Sequence, residues 1–269
     1  MNWLKIPVGV SDFGEIRKND YYYIDKSALI SDLLKKAGTK VTLITRPRRF
    51  GKTLGMSMLE HFFDIRKDSK KVFEGLEIVK QTKLCEEWMN QYPTIFVSFR
   101  QVDGLDFVGA YGMLKMVISD LFKEHLYLLD SENVSDFDKE IMKQLLWRKA
   151  SVIDVKGSLI LLTRMLKSHY GKQVVLLMDE YDVPMAKANN HGYYKEMLDV
   201  MKGLMQALKD NSALSFAVVT GCLRIAKESI FTGTNNFVSD TITDSRLSEY
   251  FGFTQEEVDQ ILENFDVKT

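Results

Sequence analysis

The sequence predicts an α/β fold in which a mostly parallel central sheet is covered by helices on both faces. Its 269 residues are enough to bury a sizeable core, as one large domain or two small ones. Short apolar runs typical of buried strands occur at residues 41–45, 94–99, 174–178 and 214–220. Helical patterns separate these runs, and strands that alternate with helices pair in parallel. A functional site is then expected at the carboxyl ends of the strands.

The N-terminal segment is expected over residues 1–38. Residues 21–24 have strand character, and Asp25 or Ser27 is expected to cap the amphipathic helix that follows. Gly38 is expected to end this helix. The strand at residues 41–45 comes next.

Helices are predicted across the middle of the chain. From residue 106 to about residue 149 the pattern is helical, with a break at residues 130–136. A further helix is expected over residues 158–170, where Gly171 ends it.

The last third repeats the alternation of strand and helix. After the strand at residues 174–178, apolar side chains form one stripe of a helix over residues 193–209. The strand at residues 214–220 follows, then a short strand over residues 237–242 and a helix that starts near Thr254. We therefore expect a sheet with a helical segment after it.

The sequence after the first core strand predicts a phosphate-binding loop. Gly51, Lys52 and Thr53 follow the strand at residues 41–45 and open an amphipathic helix. Backbone N–H groups and the helix N-terminus would face a polyphosphate, the Lys52 ammonium would reach its β and γ phosphates, and the Thr53 hydroxyl would bind Mg²⁺. We predict these nucleotide-binding residues: Arg46, Pro47, Arg48, Arg49, Phe50, Gly51, Lys52, Thr53 and Leu54.

Arg46 departs from the usual loop pattern, in which glycine occupies this position. The change restricts the backbone at the start of the loop. Arg46, Arg48 and Arg49 are expected to add cations near the phosphates, or to pair with acids of this chain or cover its surface.

Two acids follow the apolar strand at residues 174–178. Asp179 is predicted to bind Mg²⁺ through water, and Glu180 to orient or deprotonate the attacking water. The structural alternative is a pair of acids that caps a turn. Asp182 either supports the metal or caps a turn. The loop and the acids together predict hydrolysis of ATP or GTP.

Two further candidates follow the strand at residues 214–220. Thr220 is placed to sense the γ phosphate, and Arg224 to contact the phosphates or the two acids. A plain strand end and a structural salt bridge are their respective alternatives. Ser98 and Arg100 are weaker candidates for holding Glu180 in an inactive pose.

The composition excludes several classes of protein. With 36 Lys and Arg against 37 Asp and Glu, the net charge of −1 gives no overall attraction to nucleic acid or anionic membrane. Two cysteines are too few for a disulfide framework, which suits a reducing cytoplasm. Charged residues near the N-terminus come before any long apolar run, so we expect neither a signal peptide nor a membrane anchor there. We therefore expect a cytoplasmic protein without membrane contact.

The chain resembles the bacterial AAA-ATPase-like domain family, whose phosphate loop has the form Arg-Pro-Arg-Arg-Phe-Gly-Lys-Thr. The matching motifs lie at residues 8–13, 23–26, 46–53, 178–184, 220–221, 235–236 and 252–257. In this family the first glycine of the loop is usually absent, as it is here. The family has Asp-Lys-Thr where this chain has Asp25, Lys26 and Ser27. The serine keeps the hydroxyl of the threonine.

The resemblance implies a P-loop NTPase core of the additional-strand class, with the strand ending at Thr220 between the other two site strands. It favours ATP over GTP and implies that Tyr23 lies beside the adenine. It divides the chain into a core over residues 1–250 and a partial helical lid over residues 251–269. Full-length relatives carry a C-terminal PD-(D/E)XK nuclease-like domain, so we expect this chain to be truncated or a short member.

Three other functions stay open. The first is a nucleotide-dependent switch or scaffold that turns over little ATP until a partner or a second copy of the chain in a homo-oligomer completes the site. The second is a small-molecule phosphotransferase, against which the Asp179 and Glu180 pair favours water as the acceptor. The third is an ATPase that serves DNA, as the nuclease-like domain of the relatives suggests.

Overall fold

The computed structural model describes residues 5–35, 40–222, 237–244 and 246–264. Within these ranges, five strands form one parallel sheet in the order β2-β3-β4-β1-β5. They are β1 (Val41–Thr45), β2 (Thr94–Ser98), β3 (Val174–Asp179), β4 (Leu214–Gly221) and β5 (Phe237–Asp240). The predicted α/β fold is confirmed, and β4 lies between β1 and β3 as the resemblance implied.

Helices connect the parallel strands. Before β2 the chain forms α1 (Phe13–Lys18), α2 (Ala28–Leu34), α3 (Lys52–Phe63), α4 (Lys70–Phe73) and α5 (Thr82–Trp88). Between β2 and β3 it forms α6 (Phe107–Lys123), α7 (Asp136–Leu146) and α8 (Val152–Tyr170). The remaining helices are α9 (Val183–His191), α10 (Tyr194–Leu204) and α11 (Gln255–Asn264). Across the described ranges, no helix is both long and apolar enough to cross a lipid bilayer.

The core lies on both faces of the sheet because successive side chains of a strand point to opposite sides. In β3, Leu176 and Met178 belong to one buried cluster, with side chains of α6, α8 and α10. Val175 and Leu177 belong to a second cluster, with side chains of α2 and α3. The apolar run of β3 is therefore continuous because both of its faces are buried.

Two predictions about individual elements are wrong. Residues 21–24 are not a strand: among the described residues, Tyr21 forms an isolated bridge with Lys5 and no longer pairing. Helix α8 begins at Val152, six residues before its predicted start, because Ser151 and Asp154 form a capping box. The predicted break before α7 is present, and the Ser135 hydroxyl accepts a hydrogen bond from the N–H of Asp138 there.

The segment that contains α11 packs against the N-terminal segment. The Lys26 ammonium contacts the two carboxylate oxygens of Glu257 at 2.5 and 2.7 Å. The Tyr250 hydroxyl donates a hydrogen bond to Asp32 Oδ2 at 2.5 Å. A helix follows the core as predicted, whereas a domain division at residue 250 stays a prediction.

Candidate nucleotide-binding site

The carboxyl ends of β1, β3 and β4 bring the predicted site together. Thr45 ends β1, Asp179 ends β3, and Thr220 is the last residue but one of β4. These strands are adjacent in the sheet, so their ends lie at one edge. The loop over residues 46–51 starts from this edge and leads into α3.

Two residues with a left-handed backbone conformation shape the loop before α3. Gly51 is the N-cap of α3 with φ 76°, a conformation that glycine adopts without steric cost. Arg49 also has positive φ, at 67°. Curled backbone of this kind turns N–H groups toward one side and forms anion-binding concavities. The loop and the N-terminus of α3 are therefore suited to hold phosphate.

The Lys52 ammonium is buried against the loop. It donates hydrogen bonds to the carbonyl oxygens of Arg46 and Pro47, both at 3.0 Å, and contacts Cys222 Sγ at 3.3 Å. An ammonium has three N–H donors, and thiol sulfur is a weak acceptor. A phosphate oxygen would therefore most readily replace Cys222 as the acceptor for the third N–H of Lys52.

Asp179 is the polar centre of the site, and its side chain is fully buried. Its Oδ2 accepts a hydrogen bond from the Thr53 hydroxyl at 2.9 Å, and its Oδ1 accepts one from the Thr220 hydroxyl at 2.5 Å. Three predicted site residues from α3, β3 and β4 are thus in direct contact.

Glu180 follows Asp179 with a positive φ of 52°, an uncommon conformation for a residue with a side chain. Its side chain is half-buried. Burial raises the pKa of the Glu180 carboxyl, and so does the charge of Asp179, while Lys52 and Arg100 act in the opposite direction. Residues with an uncommon backbone conformation or a shifted pKa cluster at functional sites.

Asp182 supports the neighbouring end of β4. Its Oδ2 accepts a hydrogen bond from the Cys222 N–H at 3.0 Å. Gly221 leaves the necessary space, because a Cβ there would lie 2.6 Å from Asp182 Oδ1 and 2.7 Å from Tyr181 Cε1. Asp182 thus holds the chain beyond Thr220 against the start of α9.

The arginines of the loop differ in their surroundings. Arg46 is buried and its guanidinium pairs with Asp240 at 2.5 Å, so the expected cation near the phosphates is instead an internal ion pair. Arg48 and Arg49 are exposed, as is Pro47. No hydrogen bond or ion pair involves either exposed arginine within the described ranges. Of the three arginines in the loop, Arg48 and Arg49 are the two whose side chains are accessible to a ligand.

The remaining predicted residues lie around this centre or away from it. Phe50 and Leu54 pack against the cluster on the α3 face of the sheet. The Tyr23 ring packs against Phe13, and its hydroxyl contacts Met58 Sδ at 3.4 Å and accepts a hydrogen bond from the Lys26 N–H. These contacts are structural, and the predicted place beside an adenine is untested. Arg224 lies outside the described residues.

Sequence reasoning missed two residues near the loop. Asp240 ends β5 and pairs with Arg46, and Cys222 contacts Lys52. Asp240 had little signal, because the predicted strand continues to residue 242 and places this acid inside the strand, whereas Asp179 follows the end of its strand. Cys222 had no signal beyond its closeness to Thr220 in the sequence.

The oxygen atoms at Asp179 fit a magnesium ion. No group of three or more His, Cys, Asp or Glu side chains that could hold a metal occurs in the described part of the chain. Mg²⁺ does not require one, because it retains several waters and binds through one or two protein oxygens plus substrate phosphates. The Thr53 hydroxyl and the Asp179 carboxylate supply that kind of donor set.

Comparison with known proteins identifies the family. The model of the AAA-ATPase_like family, described as "Predicted AAA-ATPase", matches residues 7–231. A protein of Azotobacter chroococcum mcd 1, described as "Uncharacterized protein in vnfD 5'region", is 29% identical over 267 residues. The match covers 97% of this chain and 45% of that relative, so the chain spans less than half of the relative's length. No solved structure matches the chain significantly.

Proposed function

The chain belongs to the family of predicted AAA-ATPases, and from this premise we propose that it binds ATP at residues 46–53 and hydrolyses it with Mg²⁺. The observation that carries the proposal is the contact of Thr53 with Asp179 beside the buried Lys52 ammonium. A helix N-terminus, a lysine and a carboxylate are thereby within one small volume. This combination suits a triphosphate and a divalent cation.

Each residue has a separate role in the proposed reaction. The loop N–H groups and Lys52 bind the phosphates, and the Thr53 hydroxyl and Asp179 would hold Mg²⁺. The ion, when bound, neutralises negative charge that develops on the phosphate oxygens. Glu180 orients the attacking water and accepts its proton, a role for which a raised pKa brings the carboxylate closer to neutral pH.

Thr220 and Arg224 are proposed to respond to the γ phosphate. The Thr220 hydroxyl is bonded to Asp179, so a phosphate oxygen would compete for this donor. Hydrolysis would then change the hydrogen bonds at the end of β4. We propose that this change drives a conformational switch of the helical segment after residue 250 or of a partner, such as the nuclease-like domain of full-length relatives.

The proposal is tested with two variants and two measurements, ATP affinity and steady-state ATP turnover. Lys52→Ala is expected to lose ATP binding, whereas Glu180→Gln is expected to retain it and to lose turnover by about 10²- to 10⁴-fold. Lys167→Ala and Glu124→Gln are matched controls. Lys167→Ala is matched to Lys52→Ala, because the Lys167 ammonium also donates a hydrogen bond to a backbone carbonyl, at a position far from the loop in sequence. Glu124→Gln is matched to Glu180→Gln, because burial raises the pKa of the Glu124 carboxyl as well.

The results separate the proposed hydrolase from its rivals. Equal turnover in wild type and Glu180→Gln would refute the catalytic role of Glu180. Tight ATP binding with negligible turnover would instead favour a switch or scaffold that needs a partner or a second copy of the chain. Stimulation of turnover by DNA would favour an ATPase that serves DNA.

A further inference from the structure

Arg46, the first residue of the phosphate loop, forms a buried ion pair with Asp240. The relative exposure of Arg46 is 2% and that of Asp240 is 1%. Arg46 Nη2 contacts Asp240 Oδ1 at 2.5 Å, and Arg46 Nη1 donates hydrogen bonds to the carbonyl oxygens of Thr45 and Asp240 at 2.9 and 3.0 Å. The guanidinium thus spans the carboxyl ends of β1 and β5.

The surroundings of this pair leave little freedom of movement. The second oxygen of Asp240 accepts a hydrogen bond from Arg246 Nε at 3.0 Å. The Phe251 ring covers the Arg46 guanidinium, with its centroid 5.5 Å from Cζ. Buried charges are tolerated when they are paired and hydrogen-bonded, and removing one partner leaves the other uncompensated.

The backbone of Arg46 connects this pair to the site. The Arg46 N–H donates a hydrogen bond to the Gly221 carbonyl at 3.1 Å, and the Arg46 carbonyl accepts one from the Lys52 ammonium. Residue 46 is therefore fixed through its N–H, its carbonyl and its side chain. The next carbonyl, that of Pro47, also accepts from Lys52.

We propose that Arg46 is a positioning residue for Lys52, which rests on the proposed binding of ATP at this loop. The pair with Asp240 holds the carbonyls of Arg46 and Pro47 against the ammonium, and the ammonium is thereby kept in place for the phosphates. Glycine at position 46 would supply conformational freedom, whereas arginine supplies an anchor. Arg46 itself does not contact the nucleotide.

The decisive variant replaces both charges with apolar side chains, Arg46→Met with Asp240→Leu. Exchange of a buried ion pair for apolar residues is often neutral or stabilising, and Arg246, which also loses its bond to Asp240, has a partly exposed side chain that can be hydrated, so this protein is expected to fold. ATP affinity is measured with a fluorescent ATP analogue, and the thermal midpoint is measured on the same samples. We expect ATP affinity to fall about tenfold or more, the effect of losing one well-oriented hydrogen bond to a charged group.

The control is Arg164→Met, because Arg164 also forms two hydrogen bonds with one aspartate, Asp138, between α7 and α8, at 2.6 and 3.0 Å, although the Arg164 side chain is 52% exposed. This variant is expected to lower the thermal midpoint without a change in ATP affinity. The same loss of affinity in both proteins would show a general effect of lost stability and would overturn the proposal.

Two other outcomes are equally clear. Wild-type ATP affinity in the folded double variant would overturn the positioning role, while absence of ATP binding by the wild-type protein would refute the proposed function itself. If the double variant does not fold, Arg46→Lys decides by the same measurements. Lysine keeps the charge but lacks the planar fork, so reduced affinity supports the proposal and unchanged affinity contradicts it.

Discussion

The Thr220 hydroxyl donates a hydrogen bond to Asp179 Oδ1 at 2.5 Å between the neighbouring strands β4 and β3. Asp179 is fully buried, and its other oxygen accepts from Thr53. A buried carboxylate depends on such donors because it has lost its hydration. The threonine at the end of β4 therefore supplies a hydrogen bond that the buried Asp179 side chain would otherwise lack.

Replacement of Thr220 tests this support. Thr220→Val preserves the shape of the side chain and removes the donor, so we expect a loss of about 1–3 kcal/mol in the free energy of unfolding. ATP turnover should fall as well, if Asp179 holds Mg²⁺. Thr220→Ser retains a hydroxyl and should remain close to wild type in urea unfolding and turnover. Equal stability of the Val and Ser variants would contradict the prediction.

Thr53 is expected to determine the magnesium requirement. Thr53→Ala removes the hydroxyl that contacts Asp179 Oδ2, and Thr53→Ser retains it. We expect the Mg²⁺ concentration for half-maximal ATP turnover to rise severalfold in the Ala variant. An effect of this size corresponds to the free energy of about one lost hydrogen bond. The Ser variant should titrate like the wild type. An unchanged Mg²⁺ titration of Thr53→Ala would exclude Thr53 as a ligand.

The acid limb of the pH–rate profile should report Glu180. A water-activating carboxylate must be ionised, so turnover is full above its pKa and declines as the pH falls through it. Burial raises that pKa, and the charge of Arg100 lowers it. Arg100→Gln should therefore shift the acid limb of kcat/KM to higher pH. An acid limb that stays in place would show that Glu180 does not control it.

Gly221 should not tolerate a side chain. A Cβ there would lie 2.6 Å from Asp182 Oδ1 and 2.7 Å from the Tyr181 ring, and both of those residues are buried. We expect Gly221→Ala to reduce the free energy of unfolding by about 1–3 kcal/mol, as overpacking does. Gly157→Ala is the control, because apart from the neighbouring residues and backbone of helix α8 itself no atom lies within 4 Å of the added Cβ. It should be neutral or stabilising by about 0.5–1 kcal/mol.

Local patterns were enough to predict the elements that build the site. The apolar run of β3 and the acid at its end identified Asp179, and Gly51 before Lys52 identified the start of α3. Alternation of strands and helices predicted a parallel sheet. The position of β4 between β1 and β3 came from the family resemblance, because strand order depends on contacts distant in sequence.

Other features depend on partners that a single sequence does not reveal. Residues 21–24 have aromatic and β-branched side chains, yet no strand of the described residues runs beside them, and strand formation requires a partner. The pairing of Arg46 with Asp240 joins residues 194 positions apart. The early start of α8 was different, because the capping box at Ser151 and Asp154 is readable in the sequence.

The position of β1 in the sheet affects how the polypeptide acquires its structure during synthesis. Val41 aligns with Ala217 on one side and with Phe237 on the other. Both neighbours leave the ribosome long after β1 does, and contacts of such long sequence separation slow folding. The phosphate-binding strand therefore has neither of its backbone partners in the sheet until residues 214–240 have been synthesised.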